Sequence, residues 1–209
     1  MTQKVPCRSC HADILPETAA RTGGICMRCQ REGPPTPSRI VQLSRRTPAR
    51  CLKDFRVTQA SVLEHEAWET IETAVFSLGC ECGNVNLKIL GHYAINEAAP
   101  GETIFIAPLS LHCDSCSKVT PLFDPRQDGY DGEIDSSAGM TGEGKPIEFP
   151  CPRCNSQVFE PVVQLSYSLD DEDWDELEGR PQDFFTWFML EAKCGSCGSS
   201  CEVTGYECA

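Results

Sequence analysis

Four stretches of the chain alternate apolar and polar residues, and a pair of cysteines interrupts each of them. In "TAVFSLGCECGNVNLKIL", residues 73–90, Val85, Leu87 and Ile89 share one face of an extended chain. That two-residue period marks a half-buried strand. "TIFIAPLSLHCDSCSKVTPLF" (103–123), "IEFPCPRCNSQVFEPVVQLSYSL" (147–169) and "FFTWFMLEAKCGSCGSSCEVTGYEC" (184–208) repeat the order strand, cysteine turn, strand. A different rhythm runs from Ser61 to Phe76, where Leu63, Ala67, Ile71 and Val75 recur every fourth residue. It predicts a short helix with Ser61 as N-cap and Glu64 in capping-box position, although its β-branched tail serves equally as a strand entering Cys80.

Prolines and charges divide the rest. "REGPPTPSRIVQLSRRTPAR" (31–50) cannot continue a helix or a central strand and reads as a linker or extended arm. Residues 124–146, rich in Gly and Asp, read as a loop, and "DDEDWDELEGRPQD" (170–183) as an acidic insertion. The expected organisation is a short N-terminal unit (1–32), a basic linker (33–56), a second unit (57–138) and a third (139–209).

The cysteines say what holds these units together. Fifteen occur in 209 residues, twelve of them in close pairs. The odd total fits poorly with complete disulfide pairing. The start, MTQKVPCRSC, carries no apolar leader, and the longest apolar run, FFTWFML, is too short to span a bilayer. A cytoplasmic location is therefore expected, where thiolates hold metal more readily than they hold disulfides. Two residues between cysteines let one turn aim two sulfurs at one ion, and two such turns complete a structural zinc site.

Pairing neighbours gives three sets: Cys7, Cys10, Cys26 and Cys29; Cys80, Cys82, Cys113 and Cys116; Cys151, Cys154, Cys194 and Cys197. The fold class expected is small, metal-dominated and mainly β, with tandem zinc ribbons built from β-hairpin knuckles, little helix and three structural Zn2+ ions. Cys51, Cys201 and Cys208 remain over. They read as small buried residues, with Cys201 an alternative to Cys197. His11 and His112 adjoin ligand cysteines, but four sulfurs already complete each set.

Charge changes the picture next. Residues 1–56 hold eleven Lys/Arg against four Asp/Glu, whereas residues 57–209 hold seven against twenty-seven. A net charge of -13 thus hides a basic arm and an acidic body. The arm either meets a partner, with Arg45 and Arg46 as candidates, or folds back on the body. In the acidic insertion Asp171 and Asp173 flank Trp174, with Leu177 three residues further on. Aromatic anchors ringed by carboxylates would suit a basic protein partner, and the plainer reading is a solvated loop whose Trp and Leu dock inward.

Three motifs invite other chemistry and fall short of it. "GMTGEGKP" (139–146) nearly spells a phosphate loop, but Pro146 stands where a hydroxyl residue should enter a helix. "DPRQDGYD" (124–131) has Arg126 at a calcium-loop ligand position. "EHEAWE" (64–69) sets Glu64 and Glu66 two residues apart, on different sides of a helix, with no nucleophile beside them. No enzyme is expected from these residues, since four sulfurs leave no open coordination position.

The opening stretch resembles a short zinc ribbon that begins many bacterial proteins. The resemblance rests on Cys7 and Cys10, "ILPETA" at 14–19, "TGG" at 22–24, and Cys26-Met27 with Cys29. It covers about thirty residues and implies a bacterial, cytosolic, zinc-bound protein, with a hint of toxin–immunity systems where some such ribbons occur. The expectation for the whole chain is a non-enzymatic zinc-stabilised binding protein whose acidic body engages a protein partner, possible in an immunity or antitoxin-like role. Nucleic-acid binding through residues 1–56 is the alternative.

Overall fold

The computed structural model describes residues 4–6, 13–22, 44–63, 71–95, 103–129, 141–168 and 180–208. Near the N-terminus β1 (Val5–Pro6) pairs antiparallel with β2 (Asp13–Ile14), followed by α1 (Pro16–Thr22). Pro16 opens that helix where a missing N–H costs nothing, and Glu17 and Arg21 complement its two ends. Cys7, Cys10, Cys26 and Cys29 lie outside the described residues, as does the helix motif 64–69.

Nine further strands build two antiparallel sheets: β3 (Arg56–Val62), β4 (Ile71–Gly79), β5 (Lys88–Ile95), β6 (Thr103–His112), β7 (Val119–Phe123), β8 (Ile147–Glu148), β9 (Phe159–Ser168), β10 (Trp187–Cys194) and β11 (Ser200–Glu207). The order is β11-β10-β9-β4-β3 in one sheet and β7-β6-β5-β8 in the other. Alternation decides which side chains point inward: Ala74, Phe76 and Leu78 from β4, Phe188, Leu190 and Ala192 from β10, Leu109 and Leu111 from β6. They share one core, in which Phe123 of β7 stacks on Phe188 of β10 with ring centroids 4.0 Å apart. The Tyr206 hydroxyl accepts a hydrogen bond from the Ala107 N–H at 2.6 Å and pins β11 to β6.

Where it is described, the expected helix at 61–76 is strand: residues 61–62 belong to β3 and residues 71–76 to β4. Ser61 and Val62 end β3 and pair with Val75 and Ala74 of β4. Four residues is also two strand repeats, so a four-residue recurrence marks one face of a strand as well as it suggests a helix. Here that face is the outer one, with Ile71 exposed and Ala74, Phe76 and Leu78 opposite it.

Nor do the second and third units form ribbons in tandem. β4 belongs by sequence to the second unit but pairs with β9 of the third, and β8 of the third pairs with β5 of the second. Each half (β4–β7 and β8–β11) gives its first strand to the other half's sheet and keeps its last three as a meander. The expected boundary at 138/139 divides the halves in sequence only. The halves correspond closely: a register shift between Leu109 and Ser110 on β6, which passes over Leu122, recurs between Leu190 and Glu191 on β10, which passes over Val203.

The basic segment before β3 lies against this body. Ser44, Ala49, Leu52 and Phe55 are buried, around a 3-10 turn at Arg50–Leu52 that touches β7. Ser44 Oγ hydrogen-bonds the Tyr167 hydroxyl at 2.7 Å, and that hydroxyl donates to the Gln182 carbonyl at 3.1 Å. The Arg50 N–H donates to Asp183 at 2.6 Å, the Arg50 guanidinium to the Gln127 carbonyl, and Arg180 to the Pro48 carbonyl at 2.6 Å. Of the two readings of the arm, folding back holds for residues 44–55.

Candidate metal centres

Eight cysteines converge at two places, each where the chain passes between sheets. Cys80 and Cys82 follow β4 and lead into β5; they face Cys113 and Cys116 in the β6–β7 turn. Cys151 and Cys154 follow β8 and lead into β9; they face Cys194, which ends β10, and Cys197 in the turn to β11. In each quartet all four Sγ atoms lie within 4.8 Å of one another. Cys80 and Cys116 are 3.5 Å apart, as are Cys82 and Cys113; Cys151 and Cys197 are 3.7 Å apart, Cys154 and Cys194 3.6 Å.

Zn–S bonds of about 2.3 Å at tetrahedral angles place sulfurs about 3.8 Å apart, close to the 3.5–3.7 Å separations above, so both donor sets are consistent with zinc. Four thiolates close the coordination shell, as structural sites do.

Local geometry makes the knuckles. The residue after the second cysteine of each pair is left-handed: Gly83 at φ 95°, Ser117 at 60°, Asn155 at 63° and Gly198 at 71°. This reverses the chain so that backbone N–H groups face the sulfurs. The Cys80 N–H donates to the Asn84 carbonyl at 2.8 Å, and the Cys151 N–H to Ser156 at 2.7 Å. In the hairpin turns the Cys113 and Cys194 N–H groups reach the Lys118 and Ser199 carbonyls at 2.9 and 2.8 Å.

Two side chains beside the quartets escape a search for cysteines and histidines. Asn84 Nδ2 donates to Cys113 Sγ at 3.5 Å, and Ser199 Oγ lies 2.9 Å from Cys197 Sγ and 3.7 Å from Cys151 Sγ. Each stands two residues beyond the second cysteine of its pair, the one signal that could have found them. Burial opposes ionisation of Cys113, but Asn84 and the Cys116 N–H outweigh it and draw the thiol down to about 6. Cys151 comes down to about 6 against the same burial, through the N–H groups of Arg153 and Cys154 and through Ser199. Asn84 and Ser199 thus favour the thiolate that metal ligation needs at Cys113 and Cys151, while burial and the neighbouring sulfurs push Cys80 and Cys154 up to about 12.

The remaining candidates fall elsewhere. Cys201 lies outside the second quartet, with its thiol turned to the Ala192 carbonyl at 3.7 Å, so Cys197 is the member that joins. His112 Nδ1 lies 3.6 Å from Asp114, which also pairs with Lys88 at 3.3 Å. Asp124 spends its carboxylate on Arg126 and Gln127 within its own turn, leaving little of the calcium-loop motif. Pro146 leads into strand β8, so no helix follows Lys145 as a phosphate loop requires. Arg45 and Arg46 are exposed, while Asp171, Asp173, Trp174 and Leu177 lie outside the described residues. Among the described residues no helix is long and apolar enough to cross a membrane.

No protein-family model, curated protein or solved structure matches the chain.

Proposed function

We propose that this chain is a zinc-stabilised, non-enzymatic binding protein whose acidic body engages a protein partner. The observation that carries the reading is the position of the two sulfur quartets. Each sits at a crossing between the sheets and is closed by its own four donors, which makes it a cross-link of the scaffold. Such a scaffold leaves its surfaces for recognition. Its residues 57–209 carry a balance of -20, from seven Lys/Arg and twenty-seven Asp/Glu, which suits a basic partner. An immunity or antitoxin-like role follows if that partner is a toxin, because a dense carboxylate surface can fill a basic cleft. Adding Cys7, Cys10, Cys26 and Cys29 as a third site gives three zinc ions per chain.

The test is co-purification of one basic protein in stoichiometric amount with the zinc-loaded chain. Binding should weaken at raised salt and on charge reversal of Asp171 and Asp173. A complex indifferent to both would exclude the acidic body as the contact.

A second reading, nucleic-acid binding by residues 1–56, is favoured by the exposure of Arg45 and Arg46. Against it, Arg50 is already engaged by Gln127 and lies 3.8 Å from Asp128. Anisotropy titrations with labelled DNA and RNA across salt concentrations separate the two, since phosphate binding falls steeply with salt and spares no sequence.

A further inference from the structure

The two halves correspond strand for strand, yet β9 is covered where its counterpart β5 lies open. Leu87 and Phe159 each lie five residues past the second cysteine of a pair and are bridged to one another. Counting on from them, Tyr93 and Ile95 of β5 match Leu165 and Tyr167 of β9. Leu165 and Tyr167 are 0% exposed, whereas Tyr93 is 43% and Ile95 72% exposed. Residues 44–55 reach the β9 side, where Ser44 bonds the Tyr167 hydroxyl. They run from Ser44 on Tyr167, past Gln127 and Asp128 beyond β7, to Arg56, which pairs with Gly79 at the end of β4. The matching path on the β5 side runs from Ile95, past the end of β11, to Pro150, and no described segment follows it.

An open groove of about 590 Å³ lies along that path, lined by Tyr93 of β5, Ile104 and Phe105 of β6, Pro150, and Glu202 and Thr204 of β11. The Tyr206–Ala107 hydrogen bond fixes its floor. Among the described residues Glu202 is the single charged one in the lining. We infer that this groove binds a polypeptide segment of a partner protein, carrying apolar residues three apart and a nearby Lys or Arg. The chain's own segment shows the pattern on the β9 side: Ala49, Leu52 and Phe55 inward, with Arg50 between them meeting carboxylates. Charge complementarity selects the same partner on the β5 side, with Glu202 in place of those carboxylates. The inference rests on the protein-binding reading above and names one surface for it.

The experiment pans a phage-displayed library of random twelve-residue peptides on the full zinc-loaded chain. Enriched peptides should carry two apolar residues three apart with a Lys or Arg. They should bind Ile104→Asp at least tenfold more weakly, and Glu202→Lys more weakly with less salt dependence. Both positions are near the surface, and circular dichroism with zinc content verifies that each variant folds. Asp183→Asn, which weakens the hold on the chain's own segment on the β9 side, should leave peptide binding unchanged. Failure to enrich, acidic peptides, or binding lost in Asp183→Asn would overturn the groove. So would a dimer in sedimentation that Ile104→Asp dissolves, because a second copy would then be the occupant. A basic partner captured stoichiometrically but indifferent to Ile104→Asp overturns the groove and leaves the acidic-body reading standing.

Discussion

Leu87 and Phe159 exchange both of their backbone hydrogen bonds, at 2.8 and 2.9 Å, and they hold the same position in the two halves of the chain. A residue bridged antiparallel to its own counterpart marks a local two-fold relation. Strand exchange surrounds this bridge, with β4 on β9 and β5 on β8. The halves are therefore built into one another, and each quartet clamps a crossing that both sheets depend on.

Fragments test this directly. Residues 57–138 alone keep the β5–β6–β7 meander but strip β4 of β9, leaving it only β3. A two-stranded hairpin is marginal in water. Neither 57–138 nor 139–209 should fold alone with zinc, and mixing them should restore strand signal and one compact species. Circular dichroism and size exclusion measure both; a folded single fragment would mean independent ribbons.

Metal ligation makes a second prediction at Cys197 and Cys201. Cys197→Ser should lose one zinc by elemental analysis and lower the melting temperature of the whole described body in one transition, since both sheets share the core. Cys201→Ser should keep every zinc and cost about 1 kcal/mol, since it loses a weak contact to Ala192 and half-buried packing against the core. Zinc loss in both variants would mean the fourth ligand is shared.

What the sequence made legible follows from how local each constraint is. The cysteine turns were readable because two sulfurs three residues apart need only one turn, and nearest-neighbour pairing names the same eight sulfurs that the structure gathers. The β character was readable from alternation, which reports a strand's faces. Alternation is silent about which strand lies alongside, so tandem ribbons and exchanged strands predict the same pattern for β4 and β8. Residues 44–55 read as linker because Pro48 and the arginines dominate the composition. Ala49, Leu52 and Phe55 reveal their purpose only against a groove made by strands distant in sequence.

Backbone conformation at the knuckles gives a third prediction. At Gly198 a Cβ would meet nothing within 4 Å, and at Gly83 only the Arg56 guanidinium at 3.6 Å. Any cost of substitution is then the left-handed φ itself. Gly198→Val should destabilise by about 1–3 kcal/mol, and Asn155→Gly should be near neutral. Thermal melts of the zinc-loaded variants measure both, and an unaffected Gly198→Val would mean the turn can relax without disturbing Cys197.

The docked segment gives the last prediction. Burial, helped by nearby Asp128 and Asp183, raises the Cys51 thiol well above its ordinary value, and burial pushes Cys208 up to about 12. At pH 8 the Cys208 thiol, near 12, is about one part in ten thousand thiolate, the raised Cys51 thiol is also held protonated, and the thiolate is the species that alkylates. In the native zinc-loaded protein iodoacetamide should therefore spare both residues. Leu52→Ala removes a fully buried side chain from the 3-10 turn and should cost about 2–5 kcal/mol of local packing. Opening would then free Cys51 from its buried setting, so its alkylation should rise while the zinc content holds, and trypsin should cut after Arg45, Arg46 and Arg50. Mass spectrometry of the labelled and digested protein reads both effects at once. Rapid labelling of Cys51 in the unaltered chain would show that residues 44–55 leave the body readily, and the β9 side would then offer the same groove as the β5 side.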